Sequence, residues 1–530
     1  MDAHFHPHDR LIAKIGAVLT LTAIAELLVD GNDLGAVVGG FALTWLAMVT
    51  ATRRAVLRVA AARVAAILAM LFALVLVDDP SALAWLLFCT ALALASLLPR
   101  RGFDDALAWA VRLAWFGFTG LASPLRDAAR VAAVRERKGR SSGGVRAVVR
   151  MLVIPIGGGA IFLAMFASAN PLIDRAFADI VLPDITTMVW RSLLAVVVVV
   201  MAWTTLRPRA AATRWLRDID RPPVAALDPG VATLTLSLVT FNAIFAVENA
   251  LDLIFLWSDA ALPAGVTMAE YAHRGAYSLI VTALLAGLFV LVALRPGSVG
   301  AARPFIRRLV LLWIVQNLLL VASSGLRTLD YVDAYGMTIL RLAALAWMAL
   351  VATGLALIGW RLLVGRSAAW LINASALAAA ILLALASVVD LGATVAAWNA
   401  RIALTMGKSG PPLDLCYMER LGPSALLSLA RLEVHARQPV LRDRLASLRW
   451  EAQRETMQAQ TSWRRWTPRA ARRLDTAEAI VGARPPVLRA APNGRHCGSI
   501  TRPPPVLRVP GTQTPSTPTS TTPLTAGAQR

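Results

Sequence analysis

Hydrophobic residues in this chain are gathered into blocks of about twenty, apolar on every face and separated by short arginine-rich connections. Helices of that kind need a bilayer rather than water as solvent. The blocks fall at 11–29, 34–51, 59–77, 82–98, 148–168, 189–206, 231–257, 277–294, 308–325, 338–360 and 369–392. Each is long enough, or nearly so, to cross a hydrocarbon core about 30 Å thick. Composition agrees: 57% of residues are hydrophobic and 16% charged, against about 45–50% and about 25% in soluble domains. The expected fold is all-α, a polytopic transmembrane helical bundle of about eleven spans.

Arginine sets the orientation. Threading the blocks alternately from a cytoplasmic N-terminus puts Arg53, Arg54, Arg58 and Arg63 on the inside, together with the basic stretch from Arg100 to Arg150. The same side receives Arg207 to Arg221, Arg295 to Arg308, and Arg361 and Arg366. The opposite connections hold Arg175, Arg274 and Arg327, with Arg191 and Arg341 near span ends, and are otherwise acidic: Asp30, Asp33, Asp78, Asp79, Asp174, Asp179, Asp184, Asp259, Asp330 and Asp333. That asymmetry is the positive-inside rule. It predicts a bacterial inner-membrane protein with a cytoplasmic N-terminus and an extracytoplasmic C-terminus. The stretch 103–121, interrupted by Asp104, Asp105 and Arg112 and rich in aromatics, reads as an interfacial helix; as a span it would invert every later loop. Ala23-Ile24-Ala25 resembles a signal-peptidase site, but Asp2 and Asp9 make the preceding segment acidic, against that reading.

The chain divides into an N-terminal membrane region (1–147), a membrane core (148–410), extracytoplasmic amphipathic helices (411–466) and a Pro/Thr/Arg-rich tail (467–530) expected to be disordered for want of apolar periodicity. A formal charge of +21 invites nucleic acid as a partner. The arginines sit in loops that orient spans, and no basic reader domain is present, so nucleic acid is not expected. The partners implied are the lipid bilayer and, at the basic loop 125–150, anionic lipid or protein. Cys89 lies in an apolar block. Cys416 and Cys497 fall in the expected extracytoplasmic region, where a disulfide is permitted. Without CxxC, HExxH, GxSxG or a phosphate loop, no cofactor, metal site or catalytic residue is nominated.

The stretches FNAIFAVENALDLIFLW (241–257), AEYAHRGAYSLIVTALLAGLFVLVALRPGS (269–298), RRLVLLWIVQNLLLVASS (307–324) and WRLLVGRSAAWLINAS (360–375) resemble a bacterial multi-pass membrane family catalogued as a domain of unknown function (DUF4173, alongside DUF4153). The resemblance spans about 150–415. It implies an inner-membrane protein and brings no activity or site residue with it.

Polar side chains inside spans are costly and therefore informative. The seventh block carries Asn242, Glu248, Asn249 and Asp252, with Glu248 and Asp252 four apart on one face. Gln316 and Asn317 of the ninth block and Arg341 of the tenth reach similar depth, and Arg191 lies at the outer end of the sixth. These residues form the candidate ligand or ion site, with Arg341 or Arg191 expected to neutralise the acids; the alternative is interhelical glue. His273 and Arg274 could cap a cavity or merely orient the next span, and Ile154 to Gly159 could expose backbone or simply allow close packing. A metal site at His4, His6 and His8 is disfavoured. Asp390 and Glu26, at outer span ends, need no special role. Three functions fit: a non-enzymatic envelope scaffold, regulator or sensor; an ion-coupled transporter using the seventh block's carboxylates; or an enzyme acting on lipid-linked substrates through Asp30, Asp33, Asp78 or Asp79.

Overall fold

The structure, a computed structural model, describes residues 7–28, 34–137, 185–208, 230–255, 303–407 and 410–482, with a few isolated positions besides. Among the described residues it is helical throughout, with no strand. Six helices are long and apolar enough to cross a membrane. They are α4 (Ala60–Asp78), α8 (Ile185–Leu206), α9 (Val231–Phe255), α10 (Pro304–Tyr335), α11 (Ile339–Val364) and α12 (Ala368–Val388). Two further expected blocks are shorter apolar helices, α2 (Ala36–Thr52) and α5 (Ala82–Leu97). The first is α1 (Pro7–Leu28), which carries Asp9, Arg10, Lys14 and Glu26. A short α3 (Ala55–Arg58) precedes α4. Apart from isolated positions in the first, blocks 148–168 and 277–294 lie outside the described residues, as do His273, Arg274, His4, His6 and most of the run from Ile154 to Gly159.

Small residues decide how the N-terminal helices pack. Ala62, Ala65, Ala66, Ala69 and Ala73 line one buried face of α4. Gly39 of α2 approaches α4 so closely that a β-carbon there would lie 2.3 Å from Val77 N. Close backbone approach of this kind is how helices associate where lipid removes the hydrophobic driving force. Phe41, Trp45, Trp85 and Phe88 stack in a nest beside that crossing, with centroids 5.6–6.3 Å apart. A second core joins α9, α10 and α11 through Leu238, Phe245, Trp313, Ile314 and Leu355. By contrast α11 and α12 keep Leu340, Trp347, Leu377, Ile381 and Leu385 exposed, as expected of surfaces wetted by acyl chains.

After α12 the chain builds a compact helical cap: α13 (Leu391–Met406), α14 (Leu415–Arg420), a 3₁₀ turn (Gly422–Ala425), α15 (Leu426–His435), α16 (Pro439–Thr461) and α17 (Pro468–Val481). Leu415, Met418, Leu429, Leu432, Leu445 and Leu448 form its core. Arg449 is buried within it, bonded to Glu433 at 2.9 and 3.3 Å and to Gln453 at 2.7 Å. α17 corrects the expectation of disorder from residue 467. The helix offers only Leu474 and Ala477 to an apolar core, which is why hydropathy misses it. Charge holds it instead. Arg469 donates to Asp78 (2.9 Å), Asp79 (2.8 Å) and the Val388 carbonyl (2.9 Å). Arg472 bonds Asp78, and Arg473 bonds Asp390. Just upstream, Arg464 donates to Leu27 O (3.1 Å), and Ala36 N donates to Trp466 O (2.8 Å). Gly35 is required there, since a β-carbon would lie 2.5 Å from the Arg464 carbonyl oxygen. The ends of α1, α4 and α12 and the start of α2 therefore share one face of the bundle, the capped face.

The stretch 103–121 forms one helix, α6 (Ala106–Gly120), and a second, α7 (Ser123–Arg137), follows it after a bend of 59°. Both ends of α6 meet the face opposite the cap. Ala106 N donates to Asn373 Oδ1 (2.7 Å) in the second turn of α12, and Gly120 presses on Thr204, near the last residue of α8. Trp109, Arg112 and Phe116 point inward while Leu107, Trp115 and Phe118 are exposed. Arg112 folds back onto Asp104 in a bidentate pair.

Candidate functional site

α9 and α10 run parallel, and their seam is polar. Asn242 and Asn249 stand seven residues apart on one face of α9. Each donates to its own helix (Leu238 O at 2.7 Å, Phe245 O at 2.8 Å) and across to the carbonyl of α10 that lies 67 residues on, Leu309 at 3.1 Å and Gln316 at 3.3 Å. Gln316 Nε2 returns a bond to Asn242 Oδ1 (3.0 Å). Further along, Asp252, 2% exposed, is ion-paired to Arg327 of α10. Asn242, Asn249 and Gln316 thus share one ladder, with Asp252 about one turn beyond it on α9.

Three other expectations are redistributed. Arg341 does not neutralise the acids: it donates to Gly336 O and stands 4.1 Å above the Tyr331 ring. Asn317 is buried and bonds Trp313 O in its own helix at 2.7 Å. Glu248 is exposed, though its charge acts on Arg327. Arg327 is the residue that sequence reasoning missed. The ninth apolar block ends at Ser324 and Gly325, so Arg327 counted as loop, but α10 continues to Tyr335 and carries it into the bundle. The usable signal was the absence of any breaker between Gly325 and Tyr335, a stretch polar enough to look like loop but of ordinary helix-forming residues.

The ladder leaves acceptors over. Asn249 Oδ1, Gln316 Oε1 and Asp252 Oδ2 are buried with no hydrogen-bond partner among the described residues. Unsatisfied buried acceptors ask for a proton, a cation or water. With Glu248 and Asp252 against Arg327, the local balance is one negative charge.

The capped face is a second electrostatic centre. Burial alone would raise the Asp390 carboxyl, but the Ala393 amide at 2.8 Å, Arg473 and the Ser424 hydroxyl at 3.1 Å outweigh it and hold the group below its ordinary range. Asp79 is raised by burial, with Arg469 only partly offsetting it. At the opposite face, the bond from Arg112 pulls Asp104 down to about 2. Asp78 and Asp79 are thus occupied by arginine instead of opening onto a cleft; Asp30 and Asp33 lie outside the described residues. Among the described residues no group of three His, Cys, Asp or Glu is placed to hold a metal.

The family described as "Domain of unknown function (DUF4153)" matches residues 34–432. The chain belongs to it. The match takes in α2 to α8 as well as the stretch from 150 onward that carries the resemblance, and it ends inside α15. The asparagine ladder therefore falls within the DUF4153 region, whereas α16 and α17, and with them the arginines that fasten the cap, follow it. No curated protein and no solved structure matches the chain.

Proposed function

We propose that this DUF4153 protein is a bacterial inner-membrane protein of eleven spans that works as a non-enzymatic envelope scaffold or regulator, presenting its cap outside the cytoplasm. The observation that carries the reading is the cap itself, a packed helical platform fastened over several span ends by Arg469, Arg472 and Arg473. Supporting the orientation, arginine is concentrated in connections opposite the cap, and Cys416 is disulfide-bonded, a state suited to an oxidising compartment. Two parallel helices, α9 and α10, need a return crossing between them, which block 277–294 would supply. The loop 125–150 would contact anionic lipid or a cytoplasmic partner. Photo-crosslinkers at the exposed cap residues Val434, Val440 and Trp463 should capture a discrete envelope protein in cells. Capture of lipid alone would count against a scaffold. Reporter fusions after residue 54 and after residue 482 should report opposite sides.

A second reading, ion-coupled transport, is favoured by the three unpartnered oxygens in the α9–α10 seam. It predicts cation- or proton-dependent solute flux in proteoliposomes that is lost in Glu248→Gln and Asp252→Asn. Absence of flux with normally folded protein would remove it.

A further inference from the structure

A cavity of about 220 Å³ opens on the capped face, away from the seam, between the α10–α11 turn and the chain entering α14. Among its walls are Asp333, Tyr335, Met337, Trp398, Asp414 and Tyr417. Among the described residues the walls include two carboxylates and no basic residue. Asp333 and Asp414 are exposed to it, Tyr335 is 53% exposed and Trp398 42%. Two cations near it are turned elsewhere: Arg341 lies on the Tyr331 ring and the Gly336 carbonyl, and Arg420 stands 5.5 Å over the Tyr417 ring without lining the cavity.

The shape is set before any ligand arrives. Asn399 clamps Met337 from both sides, accepting from its amide at 2.7 Å and donating to its carbonyl at 2.9 Å. Tyr417 Oη accepts from Ile339 N at 2.8 Å. Gly336 holds a positive φ of 78° with Asn399 Oδ1 only 3.2 Å from where a β-carbon would stand. Walls fixed in this way lose little entropy on binding.

We infer that this cavity binds an organic ammonium group of the ethanolamine type. Aromatic faces attract a cation through the ring quadrupole, and carboxylates add charge-assisted hydrogen bonds that a primary ammonium can donate and a quaternary one cannot. The volume is below the roughly 300–1,000 Å³ of sites for larger small molecules, so it suits a headgroup-sized moiety. Its place at the ends of membrane helices, where Tyr and Trp meet lipid headgroups, makes phosphatidylethanolamine the nearest source. Free ethanolamine carries the same chemistry.

The test uses the full chain in nanodiscs of phosphatidylglycerol alone, or with equal parts of phosphatidylethanolamine or phosphatidylcholine, and native mass spectrometry of retained lipid. Phosphatidylethanolamine should be retained about tenfold over phosphatidylcholine. Asp333→Asn and, separately, Trp398→Ala should each erase that preference while circular dichroism and gel filtration stay unchanged. Titration with ethanolamine hydrochloride in detergent separates the sources. Saturable binding lost in Asp333→Asn, with no lipid preference, keeps the ammonium site and assigns it to a soluble amine. Equal retention of the two lipids without ethanolamine binding, or a preference untouched by both variants, overturns the inference.

Discussion

Replacing Arg469 with Met keeps the aliphatic stem and deletes three hydrogen bonds, two of them to carboxylates at 2.8–2.9 Å. Hydrogen bonds to charged groups are worth about 1.5–3 kcal/mol each when sheltered, and exposed ion pairs about 0.2–1 kcal/mol. The Arg469 side chain is 15% exposed, but Asp78 and Asp79 are 30% and 44% exposed, so the set falls between these limits, at about 2–3 kcal/mol. The undocked population of α17 should then rise about 30- to 150-fold. Amide hydrogen exchange of peptides from 468–481, in detergent, reads that directly, with α10 peptides as the internal control. Adding Asp79→Asn should recover part of the loss, because burial already disfavours the charged Asp79 and losing Arg469 removes the larger of the two arginine charges that offset it, Arg473 being the other. Exchange within twofold of the unmodified protein would show that α17 is held by something other than this fork.

Gly35→Ala should expose the chain around 464–466 to proteolysis and lower the melting temperature by several degrees, since the obstructing atoms are backbone and cannot swing away; an unchanged digestion pattern would refute the close approach. Arg327→Met should cost about 3–5 kcal/mol by stranding the buried Asp252, and Asp252→Asn less, because the charge of Glu248 still acts on Arg327; the double variant should cost less than the two losses added together, and additive losses in a thermal-shift series would contradict the coupling. Docking of α17 should be flat from about pH 8 to pH 5. The depressed Asp390 contributes fully above the ordinary carboxylate range and loses its contribution only as pH falls through its lower native value, while protonation of the raised Asp79 on the way down works in favour of docking. Release of the cap between pH 7 and pH 5.5, followed by proteolysis, would reverse that sign.

Hydropathy made the helical architecture readable because an α-helix in lipid must be apolar all round, a condition each block declares locally. The polar ladder was half readable for the same reason: Asn242, Asn249 and Asp252 stand out against an apolar background, and their spacing puts them on neighbouring faces. What a linear reading could not supply was the partner. Arg327 was assigned by where hydropathy fell, although helix propensity carries α10 beyond that point. Asp390 looked like a residue reaching water, yet it caps α13 and receives Arg473. α17 was invisible because it is fastened by ion pairs spanning 391 positions from Arg469 to Asp78, and an apolar-periodicity argument has no means of registering a helix held by charge.

The same fastening constrains the path of the whole chain. Contacts from residues 464–473 reach Leu27, Ala36, Asp78, Asp79 and Asp390, so α1, α4 and α12 all finish on the capped face and α2 and α5 both begin there. α8 finishes on the other face, because Arg53, just past the end of α2, donates to Thr205 O at 3.2 Å. α5 also finishes on that other face, so the chain from Leu98 to the start of α8 must make an odd number of crossings. α6 begins against Asn373 and ends against Thr204, both on the far face, and adds no crossing to that number. The expectation of one crossing by block 148–168, which lies almost wholly outside the described residues, agrees with that parity, whereas counting α6 with α7 as a further span would bring α8 in from the wrong side. Parity, not hydropathy, favours a surface position for α6: a cysteine at Leu107 should be labelled from the face carrying Arg53, and resistance to labelling from that face would refute it.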